Sequence, residues 1–248
     1  MKMMKDTLGP KRAFSRLELA VVVGTIALLA IVATSVLAND RSRSEQVVCL
    51  SNLRQMGHAF QLWASEHSEK APWWTHISNG GSFQAPGDPT PPWLGSRGNA
   101  WFQFAWISNE LSTPNILVCP SDVGVGSPRK IANDFSASPS GGFVNPAYKN
   151  NAASYLIGLH SFYDNPRSVL SGDRNMRYDM AGVACTTGLG STLGITFVDP
   201  NNPRWTNAIH GLAGNVLLTD GSVERFSNFN EVYGGTFTVD GSDHFLAP

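Results

Sequence analysis

The sequence has few charged residues and no excess of either sign. Charged side chains make up 15% of the 248 residues, and 18 Lys and Arg against 19 Asp and Glu leave a formal net charge of -1. A protein that is held on nucleic acid by phosphate contacts needs an excess of Lys and Arg. We therefore expect no nucleic acid among the partners.

Cysteine is also scarce, with 3 residues at Cys49, Cys119 and Cys185. This number is too small for a disulfide scaffold, and the spacing lacks the close pairs of a zinc site. In an oxidising compartment Cys119 could bridge either Cys49 or Cys185, and a small buried thiol is equally compatible with the sequence. The sequence does not choose between these pairings.

Recognisable catalytic groups are missing as well. No nucleophile stands beside a base, no pair of carboxylates has a familiar spacing, and the Gly188 to Gly194 run does not match the dinucleotide-binding fingerprint. Glycine (24) and proline (15) are abundant, which suits a loop-rich domain outside the cytoplasm. We predict a protein that is not an enzyme and has no cofactor.

The N-terminal segment is basic and then apolar. Lys2, Lys5, Lys11 and Arg12 outweigh Asp6, and the chain from Leu17 to Ala38 is apolar apart from Glu18 and a few small polar residues. As a helix this run would measure about 33 Å, which is enough to cross a ~30 Å hydrocarbon core. We predict a leader at 1–13, a transmembrane helix at 14–38, an amphipathic continuation at 39–66 and a head at 67–248.

The residues Ala13-Phe14-Ser15-Arg16-Leu17-Glu18 resemble the prepilin peptidase site of type IV pilins and type II secretion pseudopilins. The resemblance implies cleavage between Ala13 and Phe14 by the prepilin peptidase, which also N-methylates Phe14. It also implies that the Glu18 carboxylate meets the Phe14 ammonium of a neighbouring subunit during assembly. The chain departs from the family pattern at Ala13, where a glycine usually precedes the cut.

Two other interpretations of this segment stay open. Val36-Leu37-Ala38 has the small-residue pattern that signal peptidase needs, so the segment could be an ordinary secretory signal. It could also be an uncleaved anchor. Glu18 argues against a signal peptide, because a carboxylate in an apolar run is costly unless it has a partner.

Periodicity in the remaining chain predicts an α+β head. Apolar residues at helical spacing continue the first helix to about Glu66, Pro72 to Gly98 is expected to be a loop, and a second helix is expected at about Asn99 to Leu111. Short apolar runs then predict strands at Ile116 to Cys119, Ser154 to Leu159, Ser168 to Ser171, Asn215 to Thr219, Ser222 to Phe226 and Gly235 to Val239. Asp220-Gly221 joins two of them and favours a type I′ turn.

Four short motifs narrow the resemblance further. They are Cys49-Leu50-Ser51-Asn52-Leu53-Arg54-Gln55-Met56-Gly57, Cys119-Pro120-Ser121-Asp122, Ser171-Gly172-Asp173-Arg174-Asn175, and His210 followed after nine residues by Asp220-Gly221. In this order they resemble a large bacterial group of prepilin-type proteins, the DUF1559 type with its H-x9-D-G signature. The resemblance implies a pilin-like fold, in which one long N-terminal helix, half transmembrane and half amphipathic, packs on a small antiparallel sheet.

Three groups of residues are candidates for binding, each with a plainer structural alternative. His210 and Asp220 could form a metal or catalytic pair, although a buried histidine and a turn aspartate fit a hairpin better. Asp240, Ser242 and Asp243 could bind Ca²⁺, although they lack the EF-hand pattern and suit a solvated turn. The tryptophans could form a carbohydrate or partner surface or fill a small core; they are Trp73, Trp74, Trp93, Trp101 and Trp106.

Taken together, the resemblance implies a structural subunit of a type II secretion or type IV pilus-like filament. The expected partners are the inner membrane, the prepilin peptidase and methyltransferase, and other pilin-like subunits. The N-terminus would be cytoplasmic and the head periplasmic, or extracellular after assembly. The alternative is an exported enzyme or a binding module for carbohydrate or protein that uses the helix as an anchor and does not polymerise.

Overall fold

The computed structural model describes residues 15–85, 87–89, 91–92, 96, 98–124, 129–161, 163–176, 178–179, 196–198, 204–228 and 244–248. The chain divides into two compact units, Met1–Ser44 and Glu45–Pro248. The first unit is helical where it is described, and the second is an α+β unit that contains every strand described below.

Helix α1 spans Arg16–Glu66 and begins with a capping box. The backbone N–H of Ser15 donates to the Glu18 carboxylate at 2.8 Å, and the backbone N–H of Glu18 donates to the Ser15 hydroxyl at 3.2 Å. This reciprocal arrangement satisfies two N–H groups that a helix start leaves free. At the other end, the N–H groups of His67 and Glu69 both donate to the Ala64 carbonyl, which closes the helix.

The predicted fold class is wrong in its transmembrane half. Across the described residues, none of the helices combines the length and the apolar character that a bilayer crossing requires.

The last third of α1 packs into the second unit through one stripe of side chains. Leu53, Met56 and Phe60 are fully buried, and Trp63 is nearly so. Their spacing of three and four residues puts them on one helical face. Phe60 contacts Trp73 edge to face, with ring centroids 5.7 Å apart, and Phe104 at 6.4 Å. Aromatic contacts therefore join α1 to the segments that follow it.

The second predicted helix is broken into two. Helix α2 spans Ala100–Trp106 and α3 spans Ser108–Leu111. Ile107 lies between them with φ -100° and ψ 29°, and its side chain is fully buried. The chain leaves helical geometry at Ile107, so the prediction of one helix from Asn99 to Leu111 is correct in place but wrong in continuity.

The described residues contain seven strands; they are β1 Tyr155–Gly158, β2 Val169–Asp173, β3 Tyr178–Asp179, β4 Thr196–Val198, β5 Gly214–Leu218, β6 Val223–Phe226 and β7 His244–Leu246. They form one antiparallel sheet in the order β3-β4-β7-β1-β2-β5-β6. This sheet is larger than the small sheet that was expected.

Four predicted strands are confirmed as β1, β2, β5 and β6 within two residues at each end. The strand predicted at Ile116 to Cys119 is wrong, because Pro114–Leu117 forms a 3₁₀ turn. Thr113 caps this turn by accepting from the Asn115 N–H, and Pro114 occupies its first position, where a missing N–H costs nothing. The strand predicted at Gly235 to Val239 lies outside the described residues.

The hairpin between β5 and β6 is real, but its turn is not type I′. The Gly221 N–H donates to the Leu218 carbonyl at 2.9 Å, and of the predicted Asp220-Gly221 pair only Gly221 has a positive φ, at 85°. A type I turn followed by a left-handed glycine gives this three-residue loop. The connection between β5 and β6 is therefore three residues long, one more than the predicted Asp220-Gly221 pair.

Alternating side chains of the sheet face two different apolar clusters. Leu170 and Leu217 join the large cluster that contains the buried stripe of α1. Val169, Val216 and Leu218 join a smaller cluster with Trp205. This alternation is the period of two that a strand imposes, and it places the buried stripe of α1 on one face of the sheet.

The close approach of β1 and β2 makes a prediction at Gly158. A Cβ added there would lie 2.1 Å from the Val169 carbonyl oxygen, which is backbone and cannot rotate away. We expect Gly158→Ala to lower the free energy of unfolding by about 2–3 kcal/mol, measured by denaturant titration. Gly24→Ala is the control, because a Cβ at Gly24 meets nothing within 4 Å. Equal midpoints for Gly158→Ala and the wild type would contradict the close approach.

Candidate functional site: the junction of α1 and the sheet

The four sequence motifs meet in the second unit, where α1 reaches the sheet. The centre of this junction is a disulfide between Cys49 and Cys119, two residues that are 70 positions apart and both fully buried. Cys49 begins the buried face of α1, and Cys119 follows the 3₁₀ turn at Pro114–Leu117. One turn further along α1, the Asn52 side chain donates to the Val118 carbonyl at 3.2 Å. The bridge thus fastens the helix to the middle of the chain.

His210 lies against the disulfide. Its Nε2 atom is 3.4 Å from Cys119 Sγ and 3.6 Å from Asp173 Oδ2. Asp173 ends strand β2 and is fully buried, and its Oδ2 accepts from the backbone N–H and the side-chain amide of Asn215 at 2.7 and 2.9 Å. The histidine, the carboxyl group and the disulfide therefore form one buried cluster.

The loop that carries His210 is strained and held in place by an amide. His210, Gly211 and Leu212 have φ values of 53°, 60° and 61°, so three successive residues are left-handed, which is costly for the two that are not glycine. The Asn175 side-chain amide donates to the carbonyls of Ile209 and Ala213 at 2.7 and 2.9 Å, one on each side of these residues. Asn175 therefore fixes the loop in the conformation that brings His210 to the disulfide.

An ion-pair network adjoins the cluster. Asp122 is buried, and Arg174 contacts both of its carboxylate oxygens at 2.6 Å, through Nε and Nη2. Arg129 donates to the same carboxylate at 3.0 Å and to the Asn150 carbonyl. Arg174 directly follows Asp173 in the chain, so the Cys119-to-Asp122 motif and the Ser171-to-Asn175 motif are linked by two charge-assisted bonds.

The two buried carboxyl groups have opposite pKa shifts. Burial raises the pKa of Asp122, but the hydrogen bonds and charges of Arg174, the Gly124 N–H and the Arg129 charge outweigh it, so the net shift is downward. Burial raises the pKa of Asp173 to about 7, against the lowering effect of Asn215. Asp122 is thus an ionised partner for two arginines, whereas Asp173 is partly protonated near pH 7.

The pKa of His210 shifts in the direction that favours the neutral imidazole. Burial and the nearby Arg225 charge lower its pKa to about 4, against the raising effects of Glu45 and Asp122. An ion pair with Asp173 would raise the pKa of the histidine and lower that of the acid. Both pKa values move the other way, so the contact joins a neutral histidine and a partly protonated acid.

The chemistry open to this cluster is limited by the disulfide. The ligand atoms of Cys49, Cys119 and His210 lie within 4.8 Å of one another, which is a set that could hold a metal ion. A metal needs thiolates, however, and both sulfur atoms are bonded to each other. With its sulfurs paired and its histidine neutral, the cluster is suited to joining segments of the chain.

The structure separates the predicted pair of His210 and Asp220. Asp220 lies in the hairpin turn, where its Oδ1 accepts from the Ser222 N–H at 2.8 Å. Gly221 faces α1, since a Cβ there would lie 2.8 Å from Gln61 Nε2, and Gly57 faces Leu217 in the same way, also at 2.8 Å. The H-x9-D-G motif therefore touches α1 at its Gly end and the disulfide at its His end.

Several residues that the sequence analysis singled out lie outside the described residues. Ala13, Phe14, Cys185 and Trp93 lie outside the described residues, and so do Asp240, Ser242 and Asp243, so the structure does not address the calcium hypothesis. Trp73 and Trp101 are buried in the core, while Trp74 and Trp106 are half-buried. Sequence reasoning assigned no role to Asp122, Arg129, Asp173 or Arg174, although Asp122, Asp173 and Arg174 belong to motifs that it singled out.

The disulfide predicts a thiol count and a stability change. Alkylation of the denatured, unreduced chain should label one thiol at most, and reduction should expose all 3 cysteines, as measured by mass spectrometry. Because the bridge closes a loop of about 70 residues, Cys49→Ser/Cys119→Ser should lower the free energy of unfolding by about 4 kcal/mol. Cys185→Ser is the control. Three labelled thiols without reductant would show that the bridge is absent.

Asp173 and His210 predict opposite pH dependences. Between pH 3.8 and about 7 the folded protein holds a proton on Asp173 that the unfolded chain has lost, so this contribution to stability falls as pH rises. Between about pH 4 and 6.5 the unfolded chain holds a proton on His210 that the folded protein lacks, so this contribution rises with pH.

The two contributions separate in variants. The unfolding free energy of Asp173→Asn minus that of wild type should increase by a few kcal/mol as the pH rises from about 4 to 7, because only the wild type loses the contribution of Asp173. The same difference for His210→Gln should decrease as the pH rises from about 4 to 6.5, because only the wild type gains the contribution of His210. Denaturant unfolding at a series of pH values measures both. Variants that parallel the wild-type curve would show that neither group is shifted.

Comparison with known proteins adds no relative. No family model matches the chain, and neither a curated protein nor a solved structure matches it. The resemblance to prepilin-type proteins therefore stays an expectation from its motifs, and the function has to follow from the residues and their geometry.

Proposed function

We propose that the chain is a pilin-like structural subunit that assembles into a filament of the type II secretion or type IV pilus kind through the first part of α1. The observation that carries this proposal is the apolar surface of that segment. Its large side chains are between 47% and 76% exposed; they are Leu17, Leu19, Val21, Val22, Val23, Ile26, Leu28, Leu29 and Ile31. Contiguous apolar surface of this kind marks a site that another molecule covers.

The junction supports a structural role. A subunit that is held by its helix and displays its head needs a firm connection between the two, and Cys49 fastens α1 at the point where its buried face begins. The ion pairs of Asp122 and the packing of Gly57 and Gly221 add contacts along the same junction. The motifs thus serve to join helix and head.

The disulfide also supports the proposed location of the second unit. Structural disulfides persist in oxidising compartments such as the bacterial periplasm and are rare in the cytosol. We place the head outside the cytoplasm, at the inner membrane before assembly, with prepilin peptidase as the processing enzyme. The proposed partners of α1 are other pilin-like subunits.

Glu18 has two possible roles, and the structure shows one of them. In the isolated chain its carboxylate accepts from the Ser15 N–H in the capping box. In a filament it would pair with the Phe14 ammonium of a neighbour. Glutamine can replace glutamate in a capping box but carries no charge, so the two roles can be tested separately.

The proposal predicts the mature N-terminus and the effect of Glu18 variants. Mass spectrometry of the chain from its native host should find N-methylated Phe14 as the first residue. Glu18→Gln and Glu18→Ala should both reduce filament yield at least tenfold, as measured by shearing and electron microscopy, while the head keeps its wild-type melting temperature.

Distinct outcomes would contradict each part. A chain that starts at Asn39 would show cleavage by signal peptidase, and an intact Met1 would show an unprocessed anchor. Wild-type filament yield in Glu18→Gln together with loss in Glu18→Ala would assign Glu18 to the cap alone. Wild-type yield in both variants would reject the charge pairing altogether.

A further inference from the structure

A pocket in the head shares no lining residue with the junction or with the exposed apolar surface of α1. Its volume is about 340 Å³, near the lower end of the ~300–1,000 Å³ range of small-molecule sites. Residues after α1 and residues after β1 line it; those that matter for binding are Glu69, Lys70, Trp74, Ser161, Tyr163 and Asp164.

The walls of the pocket are held by the backbone. Ser68 and Glu69 have φ values of 59° and 56°, and the Glu69 N–H donates to the Ala64 carbonyl, so the helix end fixes where Glu69 emerges. The indole N–H groups of Trp73 and Trp74 both donate to the Leu159 carbonyl, at 3.1 and 2.9 Å. Trp74 is therefore anchored to the turn after β1 that carries the opposite wall.

Two hydroxyl groups in this wall lack a hydrogen-bond partner among the described residues. They are the Oγ atom of Ser161, a residue that is only 1% exposed, and the phenol of Tyr163. Burial, and secondarily the Glu69 charge, raise the pKa of Tyr163, so its phenol stays protonated as a donor. Buried hydroxyls without a partner are uncommon and costly, which makes each of them a candidate donor to a ligand in this pocket.

The pocket offers both acceptors and donors beside an apolar wall. Glu69 and Asp164 provide carboxylate acceptors, Lys70 and the hydroxyls provide donors, and Trp74 provides aromatic surface. A ligand that matches this set carries many hydroxyl groups and an apolar ring face. A purely cationic ligand would leave Lys70 opposed, and an anion would oppose the two carboxylates.

We propose that this pocket binds a saccharide unit: a neutral, polyhydroxylated ring of about one or two sugar residues in a glycan outside the cell. The carboxylates accept from ring hydroxyls, Tyr163 and Ser161 donate to ring or hydroxyl oxygens, and Trp74 covers the apolar ring face. Such binding would make the head a glycan-contacting surface, and it does not depend on filament assembly.

The test uses the purified full-length chain in a detergent without a sugar head group, because a maltoside would compete. Saturation-transfer NMR is recorded with glucose, galactose, mannose and N-acetylglucosamine in turn, and with a lysine-containing tripeptide as the cationic probe. At least one sugar should receive saturation and titrate with a millimolar dissociation constant, and the tripeptide should not.

Matched variants locate the site. Asp164→Asn and Tyr163→Phe keep size and shape, and each should weaken the bound sugar about tenfold, which is the effect of losing one hydrogen bond to a charged or buried group. Glu66→Gln is the control, since Glu66 is an exposed carboxylate on the same helix end that does not line the pocket. It should bind as wild type.

Every other outcome overturns the proposal. Saturation of none of the four sugars at tens of millimolar would reject saccharide binding, and binding of the tripeptide in their place would assign the pocket to a cationic ligand. Equal affinity in wild type, Asp164→Asn and Tyr163→Phe would place the sugar elsewhere. Because the melting temperature is recorded for each variant, loss of binding is distinguished from loss of folding.

Discussion

The covalent link between Cys49 and Cys119 is the constraint on which the rest of the junction depends. It brings the start of the buried face of α1 against the segment between the 3₁₀ turn and Asp122, and this places Asp122 within reach of Arg174 at the end of β2. It also presents Cys119 Sγ to His210, the first of three successive left-handed residues. A strained loop persists only where its surroundings over-determine it, and here the disulfide and Asn175 do so together.

The junction favours the ionised form of one buried carboxyl group, Asp122, and the neutral form of another, Asp173. Asp122 has two guanidinium partners and a backbone N–H, which repay the cost of burying a charge. Asp173 has Asn215 and a neutral imidazole, which do not repay it, and its pKa rises accordingly. Because the two groups repel each other when both are ionised, the strong pairing of Asp122 itself favours the neutral form of Asp173. The network is therefore one coupled system, and a change at Arg174 would be felt at His210.

The sequence predicts the elements of this fold better than their connections. The stripe of Leu53, Met56, Phe60 and Trp63 predicts the end of α1, and alternation predicts four strands, because both follow from local periodicity. Strands β3, β4 and β7 have two or three residues each, too few for any period to appear, and they owe their existence to pairing with neighbours. The sequence predicted the motifs of the site but not the contacts between them. Its motifs could be picked out, but the bond from Cys49 to Cys119 and the contact from His210 to Asp173 join residues far apart in the chain, and only the tertiary structure brings them together.

The capping box gives the Glu18 carboxylate a partner within its own chain. A carboxylate that already accepts from the Ser15 N–H does not need a neighbour to justify its position, so Glu18 alone is a weak reason to expect a filament. The apolar surface is a stronger one. Covering the nine large exposed side chains between Leu17 and Ile31 would be worth on the order of 10 kcal/mol at ~25 cal/mol per Å². A buried ion pair adds little net stability, although removing one of its partners costs about 3–5 kcal/mol because the other charge is left buried and unpaired. Apolar burial would therefore supply the stability of an assembled helix bundle, and the charge of Glu18 would serve to set the register between neighbouring helices.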